Sequence, residues 1–181
     1  ISVNNLPLIQ GETTEFWIVS DENASISGAL NGEPLSFFSD DGRNFYNYYG
    51  VHALAEIGPV SLELTIKNGD GSTETFDQLV LVVAGGYGNE YVNVGDEYLD
   101  QSVIEEEDAL VQSLLRNTSS SRFWDDRFQY PVDEPCINSL FGQRRDYNNG
   151  GLSFYHTGLD FGVCAPNLNI YATAAGKVIL T

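Results

Sequence analysis

Alternating apolar and polar positions dominate the first half of the chain. Glu15-Phe-Trp-Ile-Val-Ser20, Ala24-Ser-Ile-Ser-Gly-Ala-Leu30 and Val60-Ser-Leu-Glu-Leu-Thr-Ile66 show period-two alternation or β-branched runs between turn residues, the pattern of half-buried strands. Asn68-Gly-Asp-Gly-Ser72 separates Leu64-Thr-Ile66 from Thr75-Phe76 and Leu79-Val-Leu-Val-Val83. Asn-Gly and Asp-Gly supply the positive φ angles of tight turns, so a hairpin is predicted there. About seven short strands in roughly 85 residues fit an immunoglobulin-like β-sandwich over 1–88, one without an inter-sheet disulfide. Such a domain serves more often as a spacer or binding module than as an enzyme.

The pattern then changes. Gly85-Gly-Tyr-Gly88 reads as a linker, and residues 89–130 as a connector carrying one amphipathic helix over about 103–116. Ser102-Val-Ile-Glu105 has the form of a capping box, with Ile104, Leu110, Val111, Leu114 and Leu115 at or near helical spacing. The acidic run Glu105-Glu-Glu-Asp108 suits the positive end of the helix dipole. Asn117-Thr-Ser-Ser-Ser121 is a polar connector. From 131 onward, glycine, tyrosine and β-branched residues return, which predicts further strands. The fold class expected is mainly β: a sandwich, a short helical connector and an incomplete β-sheet domain over 131–181.

Charge sharpens this division. The chain has 181 residues and a net charge of −18, with pI near 4.1. Residues 1–95 carry net −11 and residues 96–135 net −8, whereas 136–181 carry +1. So acidic a chain lacks the clustered bases that a nucleic-acid backbone requires. No run approaches the ~18 apolar residues of a membrane-spanning helix. The chain begins at Ile1, which suggests a processed or engineered product whose signal peptide or anchor would already be gone.

Candidate chemistry sits in Tyr155-His-Thr-Gly-Leu-Asp160-Phe161. His156 and Asp160 offer an imidazole and a carboxylate, both suited to Zn²⁺. In a straight strand their Cα atoms would lie about 13 Å apart, so sharing one ion needs a bend, which Gly158 could supply. As a bare pattern H-x-x-x-D is weak, and an ordinary surface histidine is the simpler reading.

The surroundings add to it. Ser139-Leu-Phe-Gly-Gln-Arg-Arg145, Tyr147-Asn148, His156-Thr-Gly-Leu-Asp-Phe161 and Ile170-Tyr-Ala-Thr-Ala-Ala-Gly-Lys-Val178 follow one another in order. Together they resemble the lysostaphin/LytM-type zinc metallopeptidases, bacterial peptidoglycan endopeptidases, over a quarter of the chain. The lead-in Arg122-Phe-Trp124 and Phe128-Gln-Tyr-Pro131 is similar to segments that precede the domain in some members.

The resemblance implies that His156 and Asp160 are the first two zinc ligands. It implies a peptide substrate, such as a bacterial cell-wall peptide, and an extracellular or cell-envelope location. The family's third ligand and general base come from a later H-x-H motif, which this sequence lacks: its histidines are His52 and His156. The expectation is therefore a fragment of a secreted zinc metalloendopeptidase, inactive as this chain, ending within a strand over 177–181. The alternative is a non-catalytic LytM-like wall-binding or regulatory protein whose sandwich carries the binding.

Several auxiliary residues complete the expectations. With the extracellular context that the family implies, Cys136 and Cys164 are candidates for a disulfide beside the site, two reduced thiols being the alternative. Arg144 and Arg145 stand at the family's arginine position; pairing with Asp146 or another local carboxylate competes with contact to substrate. Tyr147 and Tyr155 could stabilise a tetrahedral intermediate, although packing is the plainer role. His52 is expected to be structural, on a sandwich strand.

Overall fold

The computed structural model describes residues 2–116, 119, 122–125, 127–150 and 152–180. The protein is mainly β and divides into two units, Ile1–Gly86 and Tyr87–Thr181.

In the first unit, alternation along the strands sorts side chains onto two faces. β1 (Ser2–Val3), β3 (Thr13–Val19) and β6 (Asn44–Gly50) form an antiparallel sheet in the order β1-β3-β6. β2 (Leu8–Ile9), β4 (Ser25–Leu30), β5 (Glu33–Leu35), β7 (Gly58–Lys67) and β8 (Thr73–Val83) form a second sheet, ordered β2-β8-β7-β4-β5. On β3, Thr14, Phe16 and Ile18 are buried while Trp17 and Val19 face outward. Phe16, Ile18 and Phe45 from the first sheet share one core with Leu30, Leu62, Leu64, Val80 and Val82 from the second. That is a two-layer sandwich. The predicted hairpin joins β7 to β8, with Lys67 opposite Thr73 and Gly71 at φ 88°. His52, by contrast, lies outside the strands. It is exposed just beyond β6, where its Nδ1 accepts the Leu54 amide at 3.0 Å and so supports a turn.

The second unit contains two small sheets and one helix. β9 (Asn89–Val92) pairs in parallel with β11 (Arg144–Tyr147), which pairs antiparallel with β12 (Leu152–Tyr155). β10 (Cys136–Ser139) pairs antiparallel with β13 (Asp160–Gly162). Residues 89–92, counted above with the connector, thus join the sheet of the motif-bearing segment. Asn148 braces that junction: its amide exchanges two 3.0 Å hydrogen bonds with the backbone of Val94. Asn148 and Asn149 turn the chain at φ 50° and 56°, a left-handed conformation that asparagine tolerates, and Gly150 follows at φ 98°.

The helix α1 spans Gln101–Leu115 and starts two residues earlier than expected. Its cap is Asp100, not Ser102: the Asp100 carboxylate accepts the Ser102 amide at 2.9 Å. No residue of α1 is buried, so its apolar stripe is uncovered among the described residues. The strand expected over 177–181 does not form among the described residues, and 163–180 carry no strand. Ile170, Val178 and Ile179 stay exposed, although the Tyr171 N–H donates to the Pro131 carbonyl at 2.8 Å and the Gln129 N–H to the Thr173 carbonyl at 2.9 Å. Apart from Ser119, residues 117–121 of the polar connector lie outside the described residues, as does Thr181.

Candidate metal centre

His156 follows β12 and Asp160 opens β13, so the chain bends between the two donors. The backbone fixes His156 in place. Its N–H donates to the Gln143 carbonyl and its own carbonyl accepts the Gly142 amide, both at 2.8 Å. Gly142 needs its φ of 82° there, and a Cβ would collide with the Tyr87 ring. The His156 side chain is 8% exposed. Gly158 does not adopt a positive φ; a Cβ there would stand 3.6 Å from His156 Nε2. That is an ordinary contact distance, and the bend at this position does not rest on an unusual φ.

The ring's tautomer follows from its partners. His156 Nδ1 lies 3.0 Å from the Leu140 carbonyl, which can only accept, and 3.2 Å from the Ser139 hydroxyl. The proton therefore sits on Nδ1, and in the neutral ring Nε2 presents a lone pair. That lone pair faces Asp160 Oδ1 at 3.1 Å. Two acceptors so close require a cation between them, either a proton or a metal ion. The separation suits two donors sharing one ion at about 2.0–2.2 Å each, and the Leu140 carbonyl behind the ring is the usual backing of a ligating histidine. His156 and Asp160 thus fit zinc as a pair. Among the described residues no group of three or more His, Cys, Asp and Glu gathers to complete a site.

Asp160 is held from its other side. Arg145 Nη2 donates to Asp160 Oδ2 at 3.3 Å and to Ser139 Oγ at 3.0 Å, while its Nε donates to Glu90 Oε2 at 2.9 Å. Burial alone would lower the Arg145 pKa; hydrogen bonds to Tyr147 and Glu90 outweigh it and hold the guanidinium above its ordinary value. Ser139, also buried, donates to Gln143 Oε1 at 2.8 Å, and the same oxygen accepts the Leu140 amide at 2.9 Å. These bonds shape the turn that aims the Leu140 carbonyl at the imidazole.

The other expected residues fall around this centre. Arg145 pairs with Glu90 and Asp160 rather than with its neighbour Asp146. Arg144 donates to the Gly142 carbonyl at 2.9 Å and lies over the Tyr87 ring. Tyr147 is engaged by Arg145, and the Tyr155 ring packs against Phe141 and Phe154. Cys136 and Cys164 form a disulfide with Cα atoms 6.0 Å apart, tying the β10–β13 pair that carries Asp160. His52 belongs to the other unit. Sequence reasoning missed Glu90 altogether, because a single acid in a Gly- and Tyr-rich stretch carries no spacing signal.

No protein-family model matches the chain, and no curated protein matches it. Among solved structures, it is similar to one from Pseudomonas aeruginosa described as "putative peptidase M23", with TM-score 0.56 and 23% identity. The match covers 97% of this chain and 63% of that one, so the present chain spans less than two thirds of that protein. At this identity the likeness is one of fold.

Proposed function

We propose that the second unit carries the first two ligands, His156 and Asp160, of a zinc peptidase centre directed at peptide cross-links of the bacterial cell wall. The observation that supports this most is His156 Nε2 set 3.1 Å from Asp160 Oδ1, with the opposite ring nitrogen 3.0 Å from a backbone carbonyl. Similarity of fold to a described M23 peptidase and the order of motifs around His156 point the same way. A zinc ion bound there supplies a polarised scissile carbonyl and a bound water of lowered pKa. His156 and Asp160 hold the ion, Arg145 and Ser139 orient them, and Tyr147 hydrogen-bonds Arg145.

With no third donor gathered beside these two among the described residues, this 181-residue chain binds the metal but does not itself hydrolyse peptides. A location outside the cell or in its envelope accords with the disulfide. Zinc titration of the whole chain is the test. One equivalent should bind, with affinity falling at least tenfold in both His156→Ala and Asp160→Ala. Undiminished binding in either variant would refute the site, and zinc-dependent peptide hydrolysis by this chain would refute its inactivity.

The lack of a third donor among the described residues also favours a second reading. In it the same fold is a non-catalytic wall-binding or regulatory module, with the sandwich as its binding part. Loss of cell-wall binding on removing the sandwich, without loss of zinc uptake, would select that reading.

A further inference from the structure

The bonds behind Asp160 run to a residue that no motif marks. Glu90 stands on β9, 55 positions before Arg145, yet parallel pairing sets the two directly opposite each other. One planar guanidinium then joins two carboxylates: Nε to Glu90 Oε2 at 2.9 Å and Nη2 to Asp160 Oδ2 at 3.3 Å. The Arg145 side chain is 17% exposed and the Glu90 side chain 35%, so the link is sheltered compared with an ordinary surface pair. Ser139 closes the circuit, taking a bond from Arg145 Nη2 at 3.0 Å while lying 3.3 Å from Glu90 Oε2 and 3.2 Å from His156 Nδ1.

We infer that Glu90 is a positioning residue for the metal centre, acting through Arg145. The inference rests on the zinc reading and extends it to a strand outside the motif-bearing segment. Glu90 has two effects. It occupies Nε, so the fork cannot turn and take both oxygens of Asp160 in the bidentate manner that arginine favours. Asp160 Oδ2 is therefore bound and Oδ1 remains directed at His156 Nε2. It also neutralises a guanidinium charge that would otherwise oppose a divalent cation a few ångströms away. Outer partners of this type typically change metal affinity by about 10–100-fold when removed.

The experiment is cobalt(II) titration of the full, oxidised chain, read by its visible absorption, for wild type, Glu90→Ala and Glu90→Gln. Glu90→Ala should weaken cobalt binding by about 10–100-fold and alter the band envelope, since Asp160 is drawn toward Arg145. Glu90→Gln keeps an acceptor for Nε and loses only the charge. It is nearly isosteric, so it keeps the test valid if the alanine variant folds poorly. Its affinity should fall between the other two. Binding by both variants within twofold of wild type, with wild type binding normally, would overturn the role of Glu90. A folded wild type that takes up no cobalt would overturn the zinc reading itself, and the role of Glu90 with it.

Discussion

Every buried apolar side chain among the described residues lies between Leu8 and Val82, whereas the buried side chains from Tyr87 onward are Ser139 and His156. The sandwich is held by a shared hydrocarbon core. The second unit is held by hydrogen bonds, a charged network and a disulfide, and what it buries is the imidazole of its candidate site. Tyr87–Thr181 is no shorter than Ile1–Gly86, so length does not explain the contrast; in the second unit cross-links take over the role of a core. Stability and chemistry are thereby placed in different units, and perturbations should separate them.

The largest effect should come from the sandwich core. Phe16 is fully buried between the sheets. Phe16→Ala should destabilise the first unit by about 3–5 kcal/mol, through lost transfer energy and the cavity left behind. Denaturant unfolding followed by Trp17 fluorescence measures it. A loss below about 1 kcal/mol would show that the apolar core does not hold this unit.

Reduction of Cys136–Cys164 should do to the second unit what Phe16→Ala does to the first. The bridged cysteines are 28 positions apart. A loop of that size corresponds to roughly 3–4 kcal/mol of chain entropy. Hydrogen exchange should show loss of protection in β10 and β13 with the sandwich strands unchanged. Equal protection before and after reduction would contradict the comparison.

The smallest effect is a pH dependence of the sandwich. Asp41 is held well below the ordinary carboxylate range by the Asn44 backbone amide, then by the Asn44 side chain and the Arg43 amide. A carboxylate depressed in the folded state adds stability that is complete above its unfolded pKa and lost as pH falls toward the folded one. Unfolding midpoints of the sandwich should therefore decline below about pH 4, with a shallower slope in Asp41→Asn. An unchanged slope in the variant would remove Asp41 from that account.

What the sequence made legible was local. The Asn68–Ser72 turn and the alternation on β3 and β7 announced themselves, because turn chemistry and period-two burial act over a few residues. The motif around His156 was legible as residue types, but its geometry depends on the Gly142–Gln143 backbone. β9 was not legible: four residues that pair in parallel with a strand 55 positions away leave no local trace. The strand expected near Val178 shows the converse, since apolar β-branched residues form no strand without an edge to join. The helix cap moved from Ser102 to Asp100 because either residue can cap, and only the observed carboxylate-to-amide bond decides between them.

The centre between His156 and Asp160 is best tested by zinc K-edge X-ray absorption on the chain loaded with one equivalent of zinc. One imidazole nitrogen and one carboxylate oxygen from the protein should scatter at about 2.0–2.2 Å. The imidazole scattering should vanish in His156→Ala. A spectrum without imidazole scattering, or one unchanged by that substitution, would contradict that centre.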